Sequence, residues 1–334
     1  MKDNADRIAS AEKRGTLPYF LRDNITLDEA TGAYIFKHAK PQKPSLQDAY
    51  PEEWRKKNLA IAEARHKART EEEIDDIQDF WDCRTIQNEL NAINGSLSKG
   101  EKWLQNGNVF TVVPTGKAYN AATDLKGEIQ ISKKKQYDTT NSILRDAASA
   151  IRKIKTGRTN EINRFEARSI GTVWHEITHN RNVFGNMGLS DIERDAMEMM
   201  NEFVARHTLP EFYERMGVKR KDIPFPEFMT HRENTGYEPM VQAYQYIINT
   251  LGLDMGLAVQ RAGFGLFYTK YALQKQTAID ALIEACIYNI KTPKGKTLTN
   301  RTIESLVVAS RDNLFPNFFP KIDKILKKYG LIIE

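Results

Sequence analysis

The chain has 334 residues, with 49 basic and 44 acidic side chains for a net charge of +5, 40% hydrophobic residues and two cysteines. That is enough for one large or two ordinary domains with a full core. It excludes a disulfide-framed scaffold, because Cys83 and Cys286 lie far apart and in no metal spacing, which predicts two reduced, partly buried thiols. No apolar run approaches a membrane span, and the start Met1-Lys2-Asp3-Asn4-Ala5-Asp6 is too polar for a secretion signal. The expectation is therefore a protein without a membrane partner that stays in the cytoplasm of the cell that makes it or is packaged without a signal.

Along the chain, Pro41, Pro44 and Pro51 mark a loop after an irregular start. Glu52 to Ala68 and Glu71 to Ile93 then read as two helices, with Thr70 and Glu73 capping the second and Asn94-Gly95 stopping it. Trp54, Ile61, Ile74, Ile77 and Trp81 read as their packing seam. Strand signals follow: Val109 to Val113 is a β-rich run closed by Pro114, and Gly127 to Ser132 alternates polar and apolar residues. Lys133-Lys134-Lys135 would guard that second strand if it lay at a sheet edge. These lysines, the run Arg152, Lys153, Lys155 and Arg158, and the series Lys321, Lys324, Lys327 and Lys328 come with no nucleic-acid-binding module, so they read as solvated faces and nucleic acid is not an expected partner.

A helix is expected from Asn141 to Lys155, and another from about Asn160 to Asn182 with a buried stripe of Ile170, Val173, Trp174 and Ile177. The second carries His175-Glu176-Ile177-Thr178-His179, an HExxH run. Histidines four apart share a helical face one turn apart, so both imidazoles can reach one metal ion while Glu176 sits beside them as a base. Such a run arises by chance on the order of 0.01 times in a chain of this composition, which favours a zinc site over two surface histidines and a solvated glutamate. Thr172, Val173, Ile177, Thr178 and Asn180 are the uncharged neighbours that a buried metal helix needs, and Arg181 departs from that pattern. Asn182 and Gly185 stand where a metzincin would carry Gly and a third His, so the third ligand must come from elsewhere. Ser190-Asp191-Ile192-Glu193 is a capping box opening a helix to about His207 that carries Glu193, Glu198 and Glu202. Glu198 and Glu202 share a face, and a carboxylate on the right face is all that zinc requires.

Asn201-Glu202-Phe203-Val204-Ala205 resembles the Asn-Glu-x-x-Ala run of the gluzincins, the thermolysin-like metallopeptidases. The resemblance implies zinc held by His175, His179 and Glu202, with Glu198 as second choice, and a peptide or protein substrate. In zincins the strand at the cleft edge adds extended peptide to the sheet, a role in which Gly127 to Ser132 stands in the right order. A broader resemblance links Ala64 to Ile74 with Ile77 and Trp81, Asn201 to Phe212, and Thr235-Gly236-Tyr237-Glu238-Pro239-Met240 to minor head proteins of Mu-like phages and prophages. Their C-terminal regions often carry a zincin-like peptidase or another toxin-like enzyme. It implies a mobile-element origin, phage head proteins as partners, and a location in the bacterial cytoplasm or the virion.

Further on, His231, Arg232 and Tyr237 are candidate donors to a developing oxyanion, with Tyr237 preferred because a phenol donates while neutral. Gly263-Phe264-Gly265 reads as a turn or a point of close packing, and Met240 to Leu251, Ala272 to Ile290, Thr302 to Leu314 and Lys321 to Tyr329 as helices. The expected fold class is α+β: a helical region over 1–107, a zincin-like metallopeptidase core with a small mixed sheet over 108–230, and a helical region over 231–334. The expected chemistry is peptide hydrolysis by a zinc-activated water, with Glu176 as general base and Tyr237 assisting. The competing expectation is a structural head component whose zinc site only braces the fold.

Overall fold

The computed structural model describes residues 25–28, 33–36, 52–104, 109–117, 119–124, 126–135, 141–181, 189–229, 236–268, 278–280, 282 and 298–332. The chain divides into two compact units, Met1–Gln78 and Asp79–Glu334. In the first, β1 (Ile25–Asp28) and β2 (Ala33–Phe36) form an antiparallel pair with Ile25 opposite Phe36 and Asp28 opposite Ala33. From sequence this stretch is expected to be irregular. Each strand is only four residues long, too short for the alternation of its β-branched and aromatic residues to stand out.

The two helices expected after Pro51 are one, α1 (Glu52–Ser96). Thr70 does not cap: its hydroxyl donates back to the His66 carbonyl at 2.8 Å, and Arg69 pairs with Glu73 at 3.1 Å along the surface, so the ladder runs through. The expected seam is also displaced. Ile61 and Trp81 are each 40% exposed, whereas Cys83, Ile86, Leu90 and Ile93 carry the end of α1 into the core of the second unit.

That unit holds a three-stranded mixed sheet of β3 (Thr111–Thr115), β4 (Ala121–Thr123) and β5 (Glu128–Ser132), in the order β3-β5-β4. β3 runs parallel to β5 with Val112 beside Ile129, and β4 runs antiparallel to it with Ala122 beside Gln130. β5, the strand expected to edge a cleft, is thus the central one, with Ile129 and Ile131 fully buried. The edge strands are β3 and β4, and the three residues of β4 are too few to register as a period. Pro114 continues β3 rather than closing it, which an edge strand tolerates. Beside β3, α1 supplies the missing partners: Asn91 donates to the Phe110 carbonyl at 3.0 Å and accepts from its N–H at 2.6 Å, and Gln87 accepts from Val112 N–H at 3.1 Å. Amide side chains there satisfy backbone groups that would otherwise stay unpaired.

Three helices complete the surroundings of the site: α2 (Ile143–Lys155), capped by Ser142, α3 (Arg164–Arg181), and α4 (Asp191–Arg215). α4 opens on the expected Ser190–Glu193 box and continues past His207 through Pro210, because Leu209, Phe212 and Tyr213 remain buried along it. Its far face carries Met199, Met200, Phe203 and Val204 into a second core, shared with α5 (Glu238–Thr250), α6 (Met255–Tyr268), α7 (Asn300–Arg311) and α8 (Pro320–Tyr329). The first core centres on Trp103, Trp174 and Phe212, with centroids 5.1 to 5.6 Å apart. Gly263 to Gly265 lies within α6 and is helix and not a turn, with Gly263 facing Val204, where a side chain would make ordinary contact at 3.7 Å. Most of the helix expected from Ala272 to Ile290 lies outside the described residues. The molecule is mostly helical with a small mixed sheet, an α+β arrangement, and among the described residues no helix is long and apolar enough to cross a membrane.

Candidate metal centre

α3 is buried over most of its length, from Ala167 to Asn180, with only Arg168 standing partly out. Ile170, Trp174 and Ile177 face the first core, and the Trp174 indole donates to Thr208 of α4 at 3.0 Å. Asn201 of α4 donates to the His175 carbonyl at 2.9 Å, while Asn180 donates to the Glu176 carbonyl at 3.2 Å and to Thr123 of β4. The helix is thereby pinned to both its neighbours at the level of the motif. Arg181, the residue out of pattern, stacks its guanidinium 4.0 Å over the Phe267 ring and pairs with Glu211 at 3.4 Å, which keeps its charge away from the histidines.

With α3 fixed, His175 and His179 turn their Nε2 atoms toward each other at 3.1 Å, and Glu198 Oε2 of α4 lies 3.2 Å from each. The three atoms form a nearly equilateral triangle. A tetrahedral ion about 2.0–2.1 Å from each ligand sets neighbouring ligand atoms about 3.3 Å apart, so this donor set could hold a metal ion of that size. The histidine side chains are 8% and 7% exposed, and that of Glu198, at 16%, is the most open of the three.

Glu202 stands on the other side of the same imidazole. His175 Nδ1–H donates to Glu202 Oε2 at 2.6 Å, and Arg206 Nε donates to Glu202 Oε1 at 2.8 Å. The structure thus brings Glu198 to the Nε2 triangle and Glu202, the carboxylate preferred from the sequence, to Nδ1. Both carboxylates reach His175 because they are one helical turn apart; they meet opposite edges of its ring. An imidazole whose Nδ1–H is held by a carboxylate keeps its Nε2 lone pair for a metal. Glu193, the third acidic residue considered, is spent on the cap, accepting from Ser190 N–H at 2.8 Å.

The electrostatics match this crowding of opposite charges. Burial pulls the His175 imidazole down, but the hydrogen bonds to Glu198 and Glu202 outweigh it and push it up to about 10. Burial likewise works to raise Glu198, and the two histidines outweigh it, holding the carboxyl well below the usual range. Glu176 is buried beside the cluster and its charge acts on His175. Tyr237, at the start of α5, lays its ring parallel to that of His175, centroids 5.9 Å apart and 7° between planes. Burial first, and then the charges of Glu198, Glu176 and Glu202, raise its phenol well above the ordinary value, so it stays a proton donor. His231 and Arg232, the alternative donors, lie outside the described residues.

A scan against protein-family models returned no match, and neither did searches of curated proteins and of solved structures. Function therefore rests on the residues of the site. Among these, Arg206 and Glu238 belong to none of the site motifs legible in the sequence. Arg206 follows Glu202 by four residues, the spacing of an intrahelical ion pair, which was the available signal. Glu238 joins them only through the fold, by its contact with Arg206.

Proposed function

We propose that this chain is a zinc-dependent metallopeptidase in which His175, His179 and Glu198 hold the ion and Glu176 is the general base. The observation that carries the reading is the triangle of three donor atoms with edges of 3.1 to 3.2 Å. Bound there, zinc supplies a Lewis acid and lowers the pKa of a water toward about 7. Glu176, outside the triangle and one residue from it, accepts the proton of the water that attacks the amide carbonyl and delivers it to the leaving nitrogen. The Tyr237 hydroxyl, kept protonated, donates to the oxygen on which negative charge develops. β4, at the edge of the sheet beside α3, is the strand we assign to an extended peptide, in place of β5. Among the described residues the triangle contains three protein donors, the number of a catalytic site, whereas a bracing site closes with four.

The test is a mass-spectrometric cleavage assay of zinc-loaded wild type and Glu176→Gln, run on peptide libraries, on the chain itself and on phage head proteins, which the mobile-element resemblance makes the first protein substrates to try. Zinc content and stability should be unchanged in the variant, and cleavage should fall by about 10² to 10⁴. Absence of cleavage by zinc-loaded wild type would leave the structural role in a phage head as the better account, and equal cleavage by both proteins would assign the activity to another site.

A further inference from the structure

We infer that Arg206 is a positioning residue, a single buried cation that sets His175 through Glu202 and Tyr237 through Glu238. Its side chain is fully buried; Nε donates to Glu202 Oε1 at 2.8 Å and Nη2 contacts Glu238 Oε2. Glu202 in turn accepts from His175 Nδ1 at 2.6 Å. Glu238 is the first residue of α5, directly after Tyr237, whose ring lies parallel to that of His175 with centroids 5.9 Å apart. The imidazole is therefore held at its edge by one carboxylate and has the ring beside the other lying parallel to it, and both carboxylates close on one guanidinium. A planar fork can hold two carboxylates on different helices in fixed directions, which a lysine ammonium on a flexible stem does not. Glu202 and Glu238 are 1% and 5% exposed, and the charge of Arg206 offsets both buried carboxylates at once, beside the bonds that His175 gives Glu202 and Gln242 gives Glu238. The inference rests on the metallopeptidase reading for its purpose, since it gives the network the task of aiming one ligand and one oxyanion donor.

The experiment uses the full chain and two readouts that do not require catalysis. Zinc affinity, by chelator competition, is measured in wild type, Arg206→Lys, Glu202→Gln and the double variant. Arg206→Lys should lose 10- to 100-fold in affinity, the range for an outer-shell partner of a ligand, and the double variant should lose no more than Glu202→Gln alone. The second readout is hydroxyl-radical labelling of Tyr237 followed by peptide mass spectrometry. Glu238→Gln, which leaves Glu202 on Arg206, should raise labelling of Tyr237 several-fold while zinc affinity changes much less than in Arg206→Lys. Should Arg206→Lys fail to fold, Arg206→Gln and the Glu202→Gln and Glu238→Gln variants carry the same comparison. Unchanged zinc affinity in a folded Arg206 variant, additive losses in the double variant, or unchanged Tyr237 labelling in Glu238→Gln would overturn the inference. Absence of peptide cleavage by wild type would count against the metallopeptidase reading alone, because neither readout depends on turnover.

Discussion

At the residue scale the decisive contrast is between Glu198 and Glu202, two carboxylates one helical turn apart on α4 that meet opposite nitrogens of His175. Their removal should therefore differ in kind. Glu198→Ala takes a donor from the triangle and should abolish tight zinc binding. Glu202→Ala leaves three donors in place and should weaken binding by about 10- to 100-fold, the effect of losing an outer-shell partner. Chelator competition on both variants gives the order, and a greater loss in Glu202→Ala would return the ligand role to Glu202. The HExxH pair was legible because four-residue spacing on a helix is a local property. The choice between the two glutamates was not, because it depends on which edge of an imidazole on another helix each one reaches.

At the level of elements, the sheet shows how a short stretch of backbone is held by its surroundings. Gly127, at the turn into β5, has φ of 87°, and a methyl group there would meet Leu104 Cδ1 at 2.7 Å. Both the left-handed backbone and the contact select glycine. Gly127→Ala should therefore lower stability by about 1–3 kcal/mol, read as a shift in the denaturation midpoint with an unchanged slope. A change below about 0.5 kcal/mol, the size of an ordinary surface substitution, would show that Leu104 and the turn yield freely. The same sheet marks the limit of sequence reading for elements: β5 was visible from the alternation of Ile129 and Ile131, but its central place depends on β4, which is three residues long. Thr70 offered a cap by residue type, yet its hydroxyl turns back to His66 and α1 runs on.

For the molecule as a whole, α4 is the common wall of two cores: Ala205, Leu209, Phe212 and Tyr213 face one, and Met199, Met200, Phe203 and Val204 face the other. An ion held by His175 and His179 of α3 and by Glu198 of α4 would tie two of the most buried helices together. Any ligand that binds only the folded chain stabilises it by mass action, by about 2.7 kcal/mol at a concentration 100 times Kd. Zinc should therefore raise the Tm of wild type, a chelator should reverse the gain, and His179→Ala should show no zinc-dependent shift. Calorimetry with and without zinc measures this, and a zinc-independent Tm in wild type would count against a folded-state site built from these residues.

Local periodicity and residue chemistry were enough to determine, from the sequence alone, that α3 would be helical with His175, Glu176 and His179 on it, that α4 would open at Ser190, and that a small sheet would precede both. These features depend on neighbours within one or two turns or one strand. Tertiary structure alone decided that Glu198 completes the triangle, that Glu202 holds the far nitrogen of His175, that the Tyr237 ring lies parallel to that imidazole, and that Glu238 joins the site through Arg206. Each of these is a meeting between different elements. Whether such side chains meet is set by how α3, α4 and α5 pack about their buried faces, and spacing along one helix carries no record of the rotation of the next.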